Sequence, residues 1–411
     1  MRGRARSLCL LALAACGTPS QPTPKTPGWP VVTRALDSVI ADSAAPGAVV
    51  GVTYRGRHWY YGTGRLGLDD ATRPDSSTIY DLASLTKVIG MTTAVMIGVQ
   101  EGKLVVDSPV VRYVPLFGRD STQPVRRTVT LRHLLTHSSG LPAFRLLYKE
   151  TGTAAEAFAL ADTTRLDTVP GARYVYSDIG AMLLAQSVEA VYHERIDSLL
   201  EQRVFGPLGM TDTRYLPPAE WLPRIAPTEN DPWRGHMIRG EVHDENAARL
   251  GGVSGHAGLF SSARDLLTFA DYTLFQWNLT PDAPAKCRGM IDPEATPIVH
   301  GTQSIAALAV WTRALPKFVK RQNIPPGSDR ALGWDTPSAT GSSAGHYFSR
   351  RSIGHTGFTG TSIWIDPDRC LAVVLLSNRV HPTRQNAKWG PVRGLIADRV
   401  VEALGEEGIK R

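Results

Sequence analysis

The strand signals of this chain lie at its two ends, and that separation most constrains its fold. Near the N-terminus, Ala48 to Tyr54 is short and β-branched, Arg55-Gly56-Arg57 turns, and His58 to Tyr61 is aromatic. Two such runs around a glycine turn read as a hairpin. Near the C-terminus, Ser352–Gly354, Thr361–Asp366 and Leu371–Ser377 read as strands again. Between the two sets, from Glu101 to about Ala270, the apolar spacing is mainly helical. Distant strands that join one sheet leave fewer open edges. The expectation is therefore an α+β fold, with one antiparallel sheet formed by the N- and C-terminal segments and flanked by helices. A mainly helical lobe is inserted. Residues 31–404 form one domain, with its α/β part at about 31–100 and 330–404 and the lobe at about 101–270.

Individual helices follow from local signals. Val31 to Ala45 carries Val32, Leu36, Val39 and Ile40 at helical spacing, and Pro46-Gly47 ends it. Thr130 to Leu135, Ser177 to Val191 and His193 to Val204 read as helices. Ser262, with Asp265 three residues on, resembles a capping box before Leu266 to Phe275. Pro391 opens a closing helix, Val392 to Leu404. Residues 280–330 are rich in proline and polar residues and yield no assignable element. A cleft between sheet and lobe is the natural ligand site.

The N-terminus reads as a targeting segment. Arg2, Arg4 and Arg6 precede a short apolar run, Ser7 to Ala15, and Leu13-Ala14-Ala15-Cys16 follows the pattern at which a bacterial lipoprotein cysteine is lipidated. Residues 1–15 would be a signal peptide and 16–30 a flexible tether. The chain would then be lipid-anchored through Cys16 in the bacterial cell envelope, facing the periplasm, or else secreted to the periplasm. No downstream run is expected to reach membrane-spanning length. Without the three arginines the formal charge of +7 falls to +4, spread along the chain. No basic block is interleaved with aromatics, so nucleic acid is not an expected partner. Two cysteines remain, and a buried free Cys370 is expected rather than a pair with Cys287.

Tyr80-Asp81-Leu82-Ala83-Ser84-Leu85-Thr86-Lys87 holds the one Ser-x-x-Lys in the sequence, just before an apolar run from Val88 to Val99 that lacks proline. On a helix, residues three apart share a face, so the Ser84 hydroxyl and the Lys87 amine can meet. A lysine lowered in pKa by its surroundings can act as the base a serine nucleophile needs. A helix N-terminus favours a developing oxyanion. Two further stretches suit the same site. Pro170 to Asp178 can present Tyr176 and Asp178 from one loop, and Gly354-His355-Thr356-Gly357-Phe358 enters a strand with glycines that allow close approach.

These stretches together resemble the serine β-lactamase and penicillin-binding-protein superfamily, in its class C and esterase branch. Its three ordered motifs, Ser-x-x-Lys, Tyr-x-Asn and Lys-Thr-Gly, stand here as Ser84-Leu85-Thr86-Lys87, Tyr176-Ser177-Asp178 and His355-Thr356-Gly357. Leu134 to Pro142, Pro207 to Thr213, Gly255 to Ser261 and Trp364 to Pro367 are also similar to that branch. The resemblance implies a serine hydrolase that forms an acyl-serine on ester or amide bonds, without metal or organic cofactor. Ser84 would be the nucleophile, and Lys87 and Tyr176 would share the proton transfers. The N–H groups of Ser84 and Phe358 would form the oxyanion hole. Asp178, His355, Thr356, Gly357 and Phe358 would face a small-molecule or peptide substrate. His355 in place of lysine removes a fixed charge for a substrate carboxylate, and Asp178 in place of asparagine would hold Lys87 charged.

Three other readings compete. A penicillin-binding sensor would keep the same motifs but not turn over. Gly341-Ser342-Ser343-Ala344-Gly345 matches a nucleophile elbow, with Asp366 and His381 behind it, but lacks the strand before and the helix after. His236, His243, Asp244, Glu245 and His256 cluster in sequence, but at no metal-binding helical spacing, so a polar cleft loop is favoured over a metal hydrolase.

Overall fold

The computed structural model describes residues 29–283 and 311–405; Cys16, Cys287 and the terminal segments lie outside the described residues. Its strands are β1 (Gly47–Tyr54), β2 (Arg57–Gly64), β3 (Ile79–Asp81), β4 (Arg214–Tyr215), β5 (Asn230–Asp231), β6 (His236–Met237), β7 (Leu259–Ser262), β8 (Ile353–Thr356), β9 (Ser362–Asp366) and β10 (Leu371–Ser377). Five of them form an antiparallel sheet in the order β2-β1-β10-β9-β8. At its centre β1 pairs with β10, Val50 opposite Leu375, which joins the two ends of the chain as the sequence implied.

Both central strands are apolar at nearly every position because both faces are covered. Ala48, Val50 and Val52 face one core, together with Leu371, Val373 and Leu375. Helices Pro30–Ala41 and Val392–Ala403 fill that side. Val49, Ala372, Val374 and Leu376 face the larger core, where helix Ala263–Asn278 packs on the sheet. Ser262 caps this helix by accepting the Asp265 N–H at 3.3 Å. Asp265 does not complete the box; its carboxylate accepts the Asp212 N–H at 2.7 Å and so ties the helix to the lobe.

The lobe packs around helices Thr93–Gln100 and Asp178–Tyr192 and carries a small second sheet, β3-β7-β4. The helical run Ala83–Gln100 is long and apolar enough to span a bilayer, contrary to expectation, but it is mostly buried inside the lobe as a core helix. A second correction concerns Cys370, which is disulfide-bonded rather than a free buried thiol.

Candidate active site

Strand β3 leads into a turn, Ala83–Leu85, where Ala83 takes a left-handed φ of 46°. That conformation costs a residue with a Cβ about 1–2 kcal/mol. Contacts from distant parts of the chain hold it. Asp81 accepts the N–H groups of Ala83 at 2.8 Å and of His243 at 2.6 Å. The hydroxyls of Thr359 and Thr361 donate to the carbonyls of Asp81 and Leu82 at 2.8 and 2.9 Å. Ser84 sits in this braced turn. Lys87 follows one turn later, at the start of a π-helical stretch, Lys87–Thr92, of the kind often found at functional sites.

The serine and lysine meet as the spacing predicted. Lys87 Nζ lies 3.0 Å from Ser84 Oγ, 2.7 Å from Asp178 Oδ1 and 3.1 Å from the His256 carbonyl oxygen. It also stands over the Tyr176 ring, 4.8 Å from the centroid. Burial pushes the lysine pKa down, but the Asp178 carboxylate and Tyr176 outweigh burial and hold it above the ordinary range. Lys87 is thus an ammonium that donates to Ser84 and to the His256 carbonyl and pairs with the Asp178 carboxylate. The Tyr176 hydroxyl is buried beside Ser84 and Lys87 without a well-aligned hydrogen bond. Burial raises its pKa, and the Lys87 charge pulls against that rise.

Tyr176 is aimed by His137. The His137 carbonyl accepts the Val175 N–H at 2.8 Å, and its Nδ1 accepts the Ser177 N–H at 3.1 Å. Its ring packs on Tyr176 at 4.5 Å. Burial and nearby cations hold His137 neutral. Ser177 then caps helix Asp178–Tyr192, accepting the Gly180 N–H at 3.3 Å, and places the Asp178 carboxylate at the positive end of the helix dipole.

The third wall is the edge strand β8. The His355 Nδ1–H donates to the Thr356 carbonyl at 2.8 Å, which leaves Nε2 as a buried acceptor without a partner. Burial pushes its pKa down to about 4, so the ring is neutral at physiological pH. A Cβ on Gly357 would lie 2.0 Å from Thr361 Oγ1 and 2.5 Å from the Leu82 carbonyl oxygen. Only glycine lets this edge approach the Ser84 turn so closely. The Phe358 N–H donates to no acceptor among the described residues, and its half-exposed ring lies between His243 and the Arg379 guanidinium.

Ser84, Tyr176 and Phe358 border two cavities. One, of about 500 Å³, is also lined by Thr356, Arg330, Arg379 and Arg393. The other, of about 400 Å³, is lined by Phe144, Leu146, Tyr148, Asp178 and Asp244. The structure thus brings together all eight predicted residues from Ser84 to Phe358. Sequence reasoning missed the arginines, the Asp335 carboxylate paired with Arg330 and the positioning role of His137. The elbow residues do not assemble. Ser343 accepts from Trp364, Asp366 pairs with Arg369 and His381 accepts the Leu68 N–H. The clustered histidines and acids pair off separately, as His236–Glu241, His243–Glu229, His256–Asp244 and Glu245–Arg384.

A family model described as Beta-lactamase matches residues 32–398. The chain belongs to that family. Among similar proteins, one from Salmonella schwarzengrund (strain CVM19633) is named "Putative D-alanyl-D-alanine carboxypeptidase". It is 30% identical over 353 residues, which cover 79% of this chain and 75% of the relative. The fold matches that of EstCE1, "a hydrolase with promiscuous acyltransferase activity", at a TM-score of 0.68 and 19% identity over 90% of this chain and 97% of that one. It also matches a class C β-lactamase from Rhodobacter sphaeroides at a TM-score of 0.63 and 21% identity, over 90% and 98% of the two chains. The chain is accordingly a serine hydrolase of the β-lactamase family, acting on ester or amide bonds through an acyl-serine.

Proposed function

We propose that this hydrolase cleaves small esters or amides that carry an anionic group, a carboxylate foremost, on the leaving side, in the manner of a carboxypeptidase. One observation carries the reading. Arg379 and Arg393 border the cavity beside Ser84, and among the described residues their partners are carbonyls, not carboxylates. Arg379 donates to Phe358, Arg384 and Asn386, and Arg393 donates to Gly357 and Thr361. Burial and the neighbouring Arg379 push Arg393 down to about 10, still cationic at neutral pH. A carboxylate between the two would relieve their repulsion and meet forked donors. Neutral His355 supplies no such charge, so the arginines take over the part that lysine plays in the Lys-Thr-Gly motif. The name of the Salmonella relative supports a peptide-like substrate; the EstCE1 likeness supports only the fold.

In this mechanism the reacting form has Tyr176 ionised, a form that grows as pH rises because burial raises the phenol pKa, and Ser84 Oγ attacks the carbonyl carbon while its proton passes to that phenolate oxygen. The Lys87 ammonium stabilises negative charge on that oxygen. The N–H groups of Ser84 and Phe358 receive the oxyanion. Tyr176 returns the proton to the leaving group, and water then cleaves the acyl-serine by the same route. The test pairs a peptide ending in a free carboxylate with its carboxamide. Wild type should favour the carboxylate, and Arg393→Ala should reduce that preference about tenfold, near 1.4 kcal/mol. Equal turnover of the pair by wild type would overturn the reading.

The N-terminal arginines, the short apolar run and Leu13-Ala14-Ala15-Cys16 support a lipid-anchored chain at the bacterial envelope, facing the periplasm. Cys16→Ser should move the protein from the membrane fraction to the soluble one; a variant still held in membranes would count against the anchor.

A further inference from the structure

Beside Lys87 lies a chain of polar contacts that the mechanism does not use. The Lys87 ammonium donates to the backbone carbonyl of His256. The His256 side chain is buried and clamped at both nitrogens, with Nδ1 2.7 Å from Ser254 Oγ and Nε2 2.8 Å from Asp244 Oδ1. Asp244 is itself fixed, because the same oxygen accepts the Ala247 N–H at 2.8 Å as the cap of a short helix. Gly255 precedes His256, and Gly258, with φ 122°, follows two residues on; both are closely packed, since a Cβ on Gly255 would lie 2.2 Å from the Ala181 carbonyl oxygen and one on Gly258 2.4 Å from that of Gly252. The His256 side chain adds its hold on the His256 carbonyl to the hold of the loop backbone, where the Ser254 carbonyl accepts the Tyr215 hydroxyl at 3.1 Å.

We propose that Ser254, His256 and Asp244 are positioning residues that aim the His256 carbonyl at Lys87 and thereby keep the ammonium against Tyr176. The proposal rests on Ser84 being the acylated residue, not on the anionic substrate. Its consequence follows from the charges around the phenol. Lys87, Asp178, Arg330, His137, His355 and Tyr174 all face or neighbour Tyr176. Lys87 is the cation nearest its oxygen, and it also feels Asp244 and the two histidines. If Lys87 swings away, Tyr176 holds its proton more tightly and accepts the Ser84 proton less readily at a given pH.

The experiment follows acylation by p-nitrophenyl acetate, which has no anionic group, as the mass shift of the Ser84 peptide across pH 5 to 10. His256→Ala should slow acylation about tenfold, as misaligned catalytic groups do, and move the acid limb of the profile upward by about half a unit. His256→Gln, which can still donate to Asp244, should recover part of the rate. Ser254→Ala removes one hydroxyl and should give a smaller change of the same sign, and it tests the idea even if His256→Ala does not fold. Folded variants with the wild-type limb and rate overturn the proposal, as does a loss of thermal stability with no movement of the limb. Absence of label on Ser84 in the wild type would instead overturn the acyl-serine reading itself.

Discussion

The two cavities that meet at Ser84 share the Ser84 hydroxyl, a phenol and the Phe358 ring, yet they handle charge in opposite ways. In the apolar-walled cavity every carboxylate already has a cationic or imidazole partner: Asp178 with Lys87, Asp244 with His256, and Glu245 with Arg384, at 2.7, 2.8 and 2.8 Å. In the other cavity Asp335 answers Arg330, but Arg379 and Arg393 have only carbonyls. Charges paired within the protein select little, since their fields cancel at short range. Shape and the faces of Phe144, Leu146 and Tyr148 are left to discriminate on that side. Cations satisfied only by dipoles keep their attraction for an anion. On the proposed reading, Ser84 therefore stands between a side suited to charge and a side suited to apolar contour.

The comparison breaks most completely at its pivot. Ser84→Ala leaves both cavities intact and should reduce hydrolysis of every substrate by at least about a thousandfold, whichever side the substrate favours. A substrate panel on the folded variant checks this, and unchanged hydrolysis would remove the nucleophile assignment. Asp178→Asn should have the next largest effect. Burial of Lys87 is then no longer outweighed by a carboxylate, so the lysine pKa falls and its charge is lost at lower pH. The alkaline limb of the kcat profile should move down by a unit or more, about 1.4 kcal/mol per unit. An unmoved limb would show that Lys87 is held charged by something other than Asp178.

How much of this was open to a reader of residues alone depends on what kind of contact is involved. Ser84 and Lys87 are joined by helical periodicity, and β1 and β10 by their apolar runs, so both were legible. Tyr176 and His355 carried no local signal of nearness to Ser84; the family resemblance supplied it, and all three line one cavity. Arg393 did leave a trace. It is the second residue of helix Val392–Ala403, and a cation there opposes the helix dipole, which is a reason to ask what else holds it in place. Arg330 left none, lying in a stretch without periodicity. Cys370 was misread because a β-strand start looks the same with or without a disulfide. The buried run Ala83–Gln100 was misjudged for membrane length because the apolar stretch was counted only from Val88 to Val99, whereas the helical run reaches back through Lys87 and Ser84 to Ala83.

His355 sharpens the comparison from the charged side. Because its ring is neutral above about pH 4, carboxylate preference should be flat between pH 5 and 8 and should depend on the arginines alone. Titration of that preference near pH 6.5 would show His355 supplying charge. The same burial links to stability. An imidazole kept neutral in the fold binds a proton more readily once unfolded, so its contribution is full above the ordinary 6.5 and is lost as pH falls toward 4. Chemical denaturation across that window should show the decline, and His355→Gln should flatten part of it. His355→Lys should tighten carboxylate binding several-fold if the added ammonium can reach the cavity, as a charge-assisted contact does.

The smallest effect belongs to the apolar side. Phe144 and Leu146 are exposed by 60% and 41%, in a protein whose large apolar residues are mostly buried, and both face the cavity that holds Ser84. Covering part of such a ring is worth about 1 kcal/mol, at about 25 cal/mol per Å² of apolar surface removed from water. Phe144→Ala should therefore lower kcat/KM for esters of longer or aromatic acyl groups by about fivefold and leave acetate esters nearly unchanged. The preference for a leaving-side carboxylate should survive the substitution, because the arginines line the other cavity at Ser84. If Phe144→Ala instead erased the carboxylate preference and spared the long acyl chains, the two sides would be assigned the wrong way round, with the acyl group bound among the arginines.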